Sequence, residues 1–263
     1  TMRGMWPTMF AKLEAAGLMK VLPVRPNDHA GLAEACRLAE QAPNKLAGAF
    51  HEVIMMNYGA RVLTPEFLRE LYDFCVRHDA VTVVDEIQSG LWHHDLFMFR
   101  EYGLHPDMVA IGKGFPAGEY AASRLLFTSR YDTLPQFGAL VTNGQEEVAS
   151  LCYLISMAWA EANGAATRAL GDYYEERLRE LAAGFPQVVQ SIEGKRHLAA
   201  VSFTSLAAAK GFCERLNLAG LDISAQTYKA NCPPTALTKL PLIASREMID
   251  FVLASMAEAL RGL

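Results

Sequence analysis

Lys113 lies in Ile111-Gly112-Lys113-Gly114-Phe115, 28 residues after Asp85 in the run Val83-Val84-Asp85-Glu86-Ile87-Gln88-Ser89-Gly90. Each polar group closes an apolar, strand-like run, where parallel α/β sheets expose their chemistry. An amine can condense with an aldehyde to a Schiff base, and a carboxylate can keep a basic ring nitrogen protonated. The pair therefore suits an aldehyde cofactor built on a pyridine ring. Taken singly, a lysine after an apolar strand reads as a solvated end, and an aspartate there reads as a turn cap. Their joint occurrence is what points to chemistry. His93-His94-Asp95 is read as a pocket rim or loop rather than a metal site. Adjacent histidines point apart in regular structure, and no further ligand cluster follows.

The elements that must position these groups follow from periodicity and caps. Met9–Gly17 reads as a short helix, and Leu18–Val24 as a strand. Asp28 can cap a helix running to about Gln41, and Leu46–Met56 is strand-like. Thr64-Pro65-Glu66 supplies a hydroxyl N-cap, a first-turn proline and an acid at the positive dipole end, opening a helix that ends near His78. Ala80–Val84 and Met108–Ile111 are short buried strands. Alternation of strand and helix predicts a mainly parallel sheet with right-handed crossovers. A long helix from Glu146 to about Asn163 breaks at Gly164, and another runs from Ala166 to about Ala183. Beyond Phe185 the texture changes to a strand at His197–Phe203, a helix at Leu206–Leu218, a strand at Leu240–Ile243 and a helix capped by Ser245. The expected architecture is α/β, with a large lobe over 1–160 and a small α+β lobe over 161–263.

Composition bounds the rest. A chain of 263 residues, 51% hydrophobic and 20% charged, can bury a substantial core. A net charge of −5 without a long basic run argues against nucleic acid or an anionic membrane as the main partner. The five cysteines are odd in number, scattered and without CxxC spacing, so they read as reduced packing thiols. No apolar stretch reaches membrane-spanning length and no signal peptide opens the chain, which predicts a cytoplasmic enzyme.

From about Leu46 onward the chain resembles the class III aminotransferases, pyridoxal phosphate enzymes of fold type I. The resemblance is carried by Asp85-Glu86-Ile87-Gln88-Ser89-Gly90, by Tyr102 to Gly114 around the lysine, by Thr142-Asn143-Gly144 before a long helix, and by Glu52 with Pro65-Glu66-Phe67-Leu68. It implies an amino group moved from an amine or amino acid to a keto acid, with pyridoxal 5'-phosphate as cofactor. Lys113 would hold the cofactor as a Schiff base and move the proton, and Asp85 would pair with the ring nitrogen. Gln88 would donate to the phenolic oxygen. Thr142 would reach the cofactor phosphate of a neighbouring subunit, making a homodimer the active unit, although Thr-Asn-Gly is also a plain turn. Glu52 would order the pocket wall, and Asn57 would face substrate. An aminomutase, racemase or decarboxylase of the same fold, or a catalytically silent homologue acting as a subunit, is the alternative.

Departures from the pattern cluster on the substrate side. The phosphate-binding helix start that precedes these motifs in the family has no counterpart here, which implies a piece of a longer protein or a second polypeptide that completes the site. Gly90-Leu91-Trp92-His93-His94 replaces an arginine-containing segment, Val53 stands in place of a proline, and Glu119 stands where small apolar residues are common. Lys239 occupies the place of a carboxylate-binding arginine.

Overall fold

In the computed structural model, residues 7–120, 122–135, 138, 146–227 and 232–263 are described. A short helix, α1 (Pro7–Ala15), is followed by α2 (His29–Glu40), β1 (Gly48–His51), β2 (Ile54–Met55), β3 (Arg61–Val62) and α3 (Pro65–Arg77). Next come β4 (Val81–Asp85), the single-turn α4 (Met98–Glu101), β5 (Met108–Ile111) and β6 (Arg124–Phe127). Two long helices, α5 (Glu147–Ala162) and α6 (Gly164–Ala183), lead to β7 (Val189–Lys195), β8 (Leu198–Phe203), α7 (Leu206–Leu218), β9 (Thr235–Leu237) and α8 (Arg246–Arg261).

The first sheet has the order β1-β4-β5-β6. β1, β4 and β5 are parallel, and β6 returns antiparallel. Caps explain the start of α2 and of α3, the latter the crossover between β1 and β4. Asp28 Oδ1 accepts from Gly31 N at 2.8 Å, and Thr64 Oγ1 accepts from Phe67 N at 3.3 Å, each satisfying an amide that the first helical turn leaves open. The face of α3 carrying Phe67, Leu68, Tyr72 and Cys75 is buried in the lobe's interior. Leu68 is wholly enclosed, which is worth about 2 kcal/mol of apolar transfer.

The second sheet is antiparallel, β7-β8-β9, with α6, α7 and α8 supplying much of the core beside it. All six residues of β8 are buried, and alternate ones enter different cores. Leu198 and Ala200 join the core of the first lobe, while Ala199, Val201 and Phe203 join that of the second. The period-two pattern of a strand is thus preserved with apolar groups on both faces.

Three expectations about elements need correction, and two strands were not expected. Residues 18–24 form no strand: Val21 N donates to the Glu14 side chain at 3.0 Å, Leu18 is solvent-exposed, and Pro23 lacks a donor. The strand expected at Leu240–Ile243 is a turn closed by Ala244 N on Pro241 O at 3.1 Å, and the strand lies earlier, at Thr235–Leu237. Leu46–Met56 is interrupted at Glu52–Val53, because β2 leaves the main sheet to pair with β3. β6 and β7 went unpredicted: the first exposes three of its four residues, and the second carries polar groups through its length.

Candidate active site

β4 and β5 run parallel, with Asp85 in register with Ala110, so Asp85 and the Gly112-Lys113-Gly114 turn leave the same edge of adjacent strands. Asp85 is half-buried, and its Oδ1 accepts from Ile87 N at 3.0 Å, which fixes the carboxyl at the strand end. Lys113 has a left-handed backbone, φ 50°, uncommon for a residue with a side chain and a hallmark of over-determined functional turns. Among the described residues its amine makes no hydrogen bond or ion pair.

The glycines around the lysine are demanded by close approach. A Cβ on Gly114 would stand 2.2 Å from a ring carbon of Trp92, and one on Gly90 would stand 2.6 Å from the Phe115 ring. Phe115 is wholly enclosed and stacks against Phe97 and Tyr153, with centroids 5.8 and 5.7 Å away. The turn after β5 is therefore anchored in the core on one side and open to solvent at Lys113 on the other.

Gln88 Nε2 points to Asn57 Oδ1 at 3.5 Å, so these two sequence-predicted residues sit side by side. The Gln88 carbonyl accepts from Lys239 Nζ at 2.8 Å. Glu52 is buried at the end of β1. Thr142, with Asn143 and Gly144, lies outside the described residues.

Sequence reasoning gave no role to Glu86, which the structure shows to be the anchor of the Asp85–Gly90 segment. It is fully buried, with Oε2 accepting from Ser89 Oγ and Oε1 from Phe99 N at 2.8 Å. Burial pushes its carboxyl up to about 7, against the hydrogen bonds from Ser89, Phe99 and Met98. The only sequence signal was a second acid inside an otherwise apolar run.

Trp92 and Lys239 were likewise noted only as departures from a pattern, yet they meet. The Lys239 ammonium sits 3.4 Å from the Trp92 ring centroid, and Trp92 Nε1 donates to Leu240 O at 3.2 Å. Burial, and behind it the charge of Lys113, brings the Lys239 ammonium down to about 7.

His93 and His94 do not diverge: a tight turn packs their rings with centroids 4.0 Å apart. His93 Nδ1 accepts from Asp95 N at 3.1 Å and Nε2 meets Glu101 Oε2 at 2.9 Å, so the bonds assign a neutral ring with its proton on Nε2. Burial drives this imidazole down to about 4, although Glu101 opposes the shift. Glu101 also receives Lys195 Nζ and, at 2.9 Å, Arg196 Nη1. Burial works against that carboxylate, but the three donors outweigh it and hold it near 2. Both His93 nitrogens are committed to protein, in keeping with a structural part.

The arrangement offers an unengaged amine, a carboxylate with one oxygen left for a further donor, and an amide at the pocket wall. That donor set fits an aldehyde with a protonated ring nitrogen and a phenolic oxygen.

Comparison with known proteins agrees with this chemistry. The family model for class-III aminotransferases matches residues 5–260. The ornithine aminotransferase of Bordetella pertussis is 28% identical over 217 residues, covering 80% of this chain and 50% of the relative. The acetylornithine aminotransferase of Aquifex aeolicus is 25% identical over 139 residues, covering 52% of this chain and 37% of the relative. Among solved structures, the ornithine δ-aminotransferase of Plasmodium falciparum superposes with a TM-score of 0.79 at 21% identity, covering 91% of this chain and 61% of that one. The ornithine aminotransferase of Toxoplasma gondii also gives 0.79, at 22% identity, covering 91% of this chain and 56% of that one. The chain spans half the length of the Bordetella relative. By the extent of the family match, the chain belongs to the class-III aminotransferases.

Proposed function

We propose that the whole protein moves an amino group from an amine or amino acid to a keto acid, with pyridoxal 5'-phosphate held between Lys113 and Asp85. The observation that carries this reading is their placement at the same edge of adjacent parallel strands, with Asp85 opposite Ala110. When bound, the cofactor supplies an electron sink for the pair released at the substrate α-carbon.

Lys113 would hold the cofactor through its aldehyde, and its amine, when free, would take and return the proton at the substrate α-carbon. Asp85 accepts the ring N–H and keeps it protonated. Gln88 donates its amide to the phenolic oxygen, with Asn57 beside it orienting that amide or facing substrate. Glu86 holds the segment that carries both groups. Glu52 orders the wall at the end of β1.

In the same reading the active unit is a homodimer in which Thr142 donates its hydroxyl to the cofactor phosphate across the interface. Exposed Leu151, Leu154 and Ile155 on α5 support an apolar contact there. A segment N-terminal to residue 1, or a second polypeptide, would complete the phosphate site. The lobes divide at 160/161. The same reading places the protein in the cytoplasm; no described helix is long and apolar enough to cross a membrane.

The deciding experiment is a half-reaction with the whole, cofactor-loaded protein and a panel of amines and amino acids, without acceptor. One equivalent of carbonyl product per site, followed by arrest until keto acid is added, is the expected result. Continuous release of carbon dioxide or of an isomer would replace amino transfer with decarboxylation, mutation or racemisation. No product from any donor would favour a silent subunit.

A further inference from the structure

Trp92 is held on three sides. Its Nε1 donates to Leu240 O at 3.2 Å, its ring carries the Lys239 ammonium 3.4 Å from the centroid, and Gly114 packs so close that an added Cβ would collide. Lys239 Nζ also donates to Gln88 O at 2.8 Å. Three segments far apart in sequence, 88–92, 112–114 and 239–240, are thus gathered around one indole. A carbonyl and an aromatic face are weak compensation for a desolvated ammonium, and among the described residues no carboxylate pairs with Lys239. The charge that acts on it is that of Lys113, from the turn after β5, and Lys239 in turn acts on His197, at the approach to β8.

We propose that Lys239, seated on Trp92, is a positioning residue for Lys113, tying the Gln88 segment to the lysine turn and coupling a second amine to the first. Gly114, next to Lys113, packs on the same indole that carries Lys239, and the Lys113 charge adds to the cost that burial sets on a charged Lys239. Burial and the Lys113 charge together bring Lys239 down to about 7, so the coupling falls where it can be read. His197, driven to about 4 chiefly by its own burial, is neutral in that range. The inference deepens the proposed function, yet its test needs no cofactor.

The test is the fluorescence of the cofactor-free protein as a function of pH. Loss of the cation from the face of Trp92 is expected to give a transition with its midpoint at about pH 7, absent in Trp92→Phe and in Lys239→Met. Lys239→Arg keeps the charge and is expected to hold the acid-form emission throughout. Trp92→Phe retains Trp6 and Trp159, so subtracting its emission isolates that of Trp92. Lys113→Met removes the neighbouring charge from an exposed position, so the midpoint is expected to move to higher pH. A missing transition, or a midpoint indifferent to Lys113→Met, overturns the proposal. Failure of the half-reaction would instead remove the aminotransferase reading and leave this coupling standing.

Discussion

Asp85 and Glu86 are adjacent acids placed in different surroundings. Asp85 ends β4 half-buried with Oδ1 on a backbone amide, whereas Glu86 is sealed in the core and serves the loop. Under the proposed function, Asp85→Asn keeps the shape and the bond to Ile87 but no longer holds the ring nitrogen protonated. It is expected to retain bound cofactor and to lose about 10²–10³-fold in kcat, the usual cost of removing one preorganised electrostatic partner. Turnover at the unaltered rate would remove Asp85 from its role. That Asp85 and the Lys113 turn leave the same sheet edge was legible in the sequence, because both close apolar runs and neighbouring parallel strands bring such ends together. The link between Trp92 and the 239–240 segment was not. Its partners are 148 residues apart, and cation–π contacts leave no periodic trace.

Helices were the most legible elements, since caps and turn breakers are local chemistry. Asp28, Thr64 and Ser245 each accept the backbone amide that their position demands. Strands depend on partners. Leu240–Ile243 looked apolar enough, but Pro241 breaks the ladder and the Leu240 carbonyl is taken by Trp92. β6 was missed because Leu125, Leu126 and Phe127 face solvent rather than alternating with polar groups. α5 shows the same surplus, with Val148, Leu151 and Ile155 exposed at helical spacing. Under the proposed homodimer this stripe is covered by a second copy. The whole, cofactor-loaded protein is then expected to sediment as a dimer, and the double variant Leu151→Glu, Ile155→Glu as a monomer. Sedimentation of the unaltered protein as a monomer alone would contradict both the dimer and the part given to Thr142.

Across the whole molecule, β8 and a polar seam join the two cores, in addition to the contacts of the 88–92 segment with 239–240. β8 sends alternate residues into both cores. Glu101, bonded to His93, receives Lys195 Nζ and Arg196 Nη1 from the chain around the second core, and Arg196 Nε continues to Asp172 at 2.7 Å. The change of texture past Phe185 foreshadowed the antiparallel sheet of the second core, but the polar seam between the cores left no such trace, since its members are single charges on unrelated elements. This frame sets the Lys113 turn between a rigid core and the Trp92 contact, leaving the amine exposed. The central claim, that this amine and no other carries the cofactor, is tested most directly by reducing the pyridoxal phosphate-loaded protein with borohydride and mapping the added mass by peptide. The account predicts one tag, on the peptide containing Lys113, lost in Lys113→Ala. A tag on Lys239 or another lysine, or no tag on the whole protein, would contradict it.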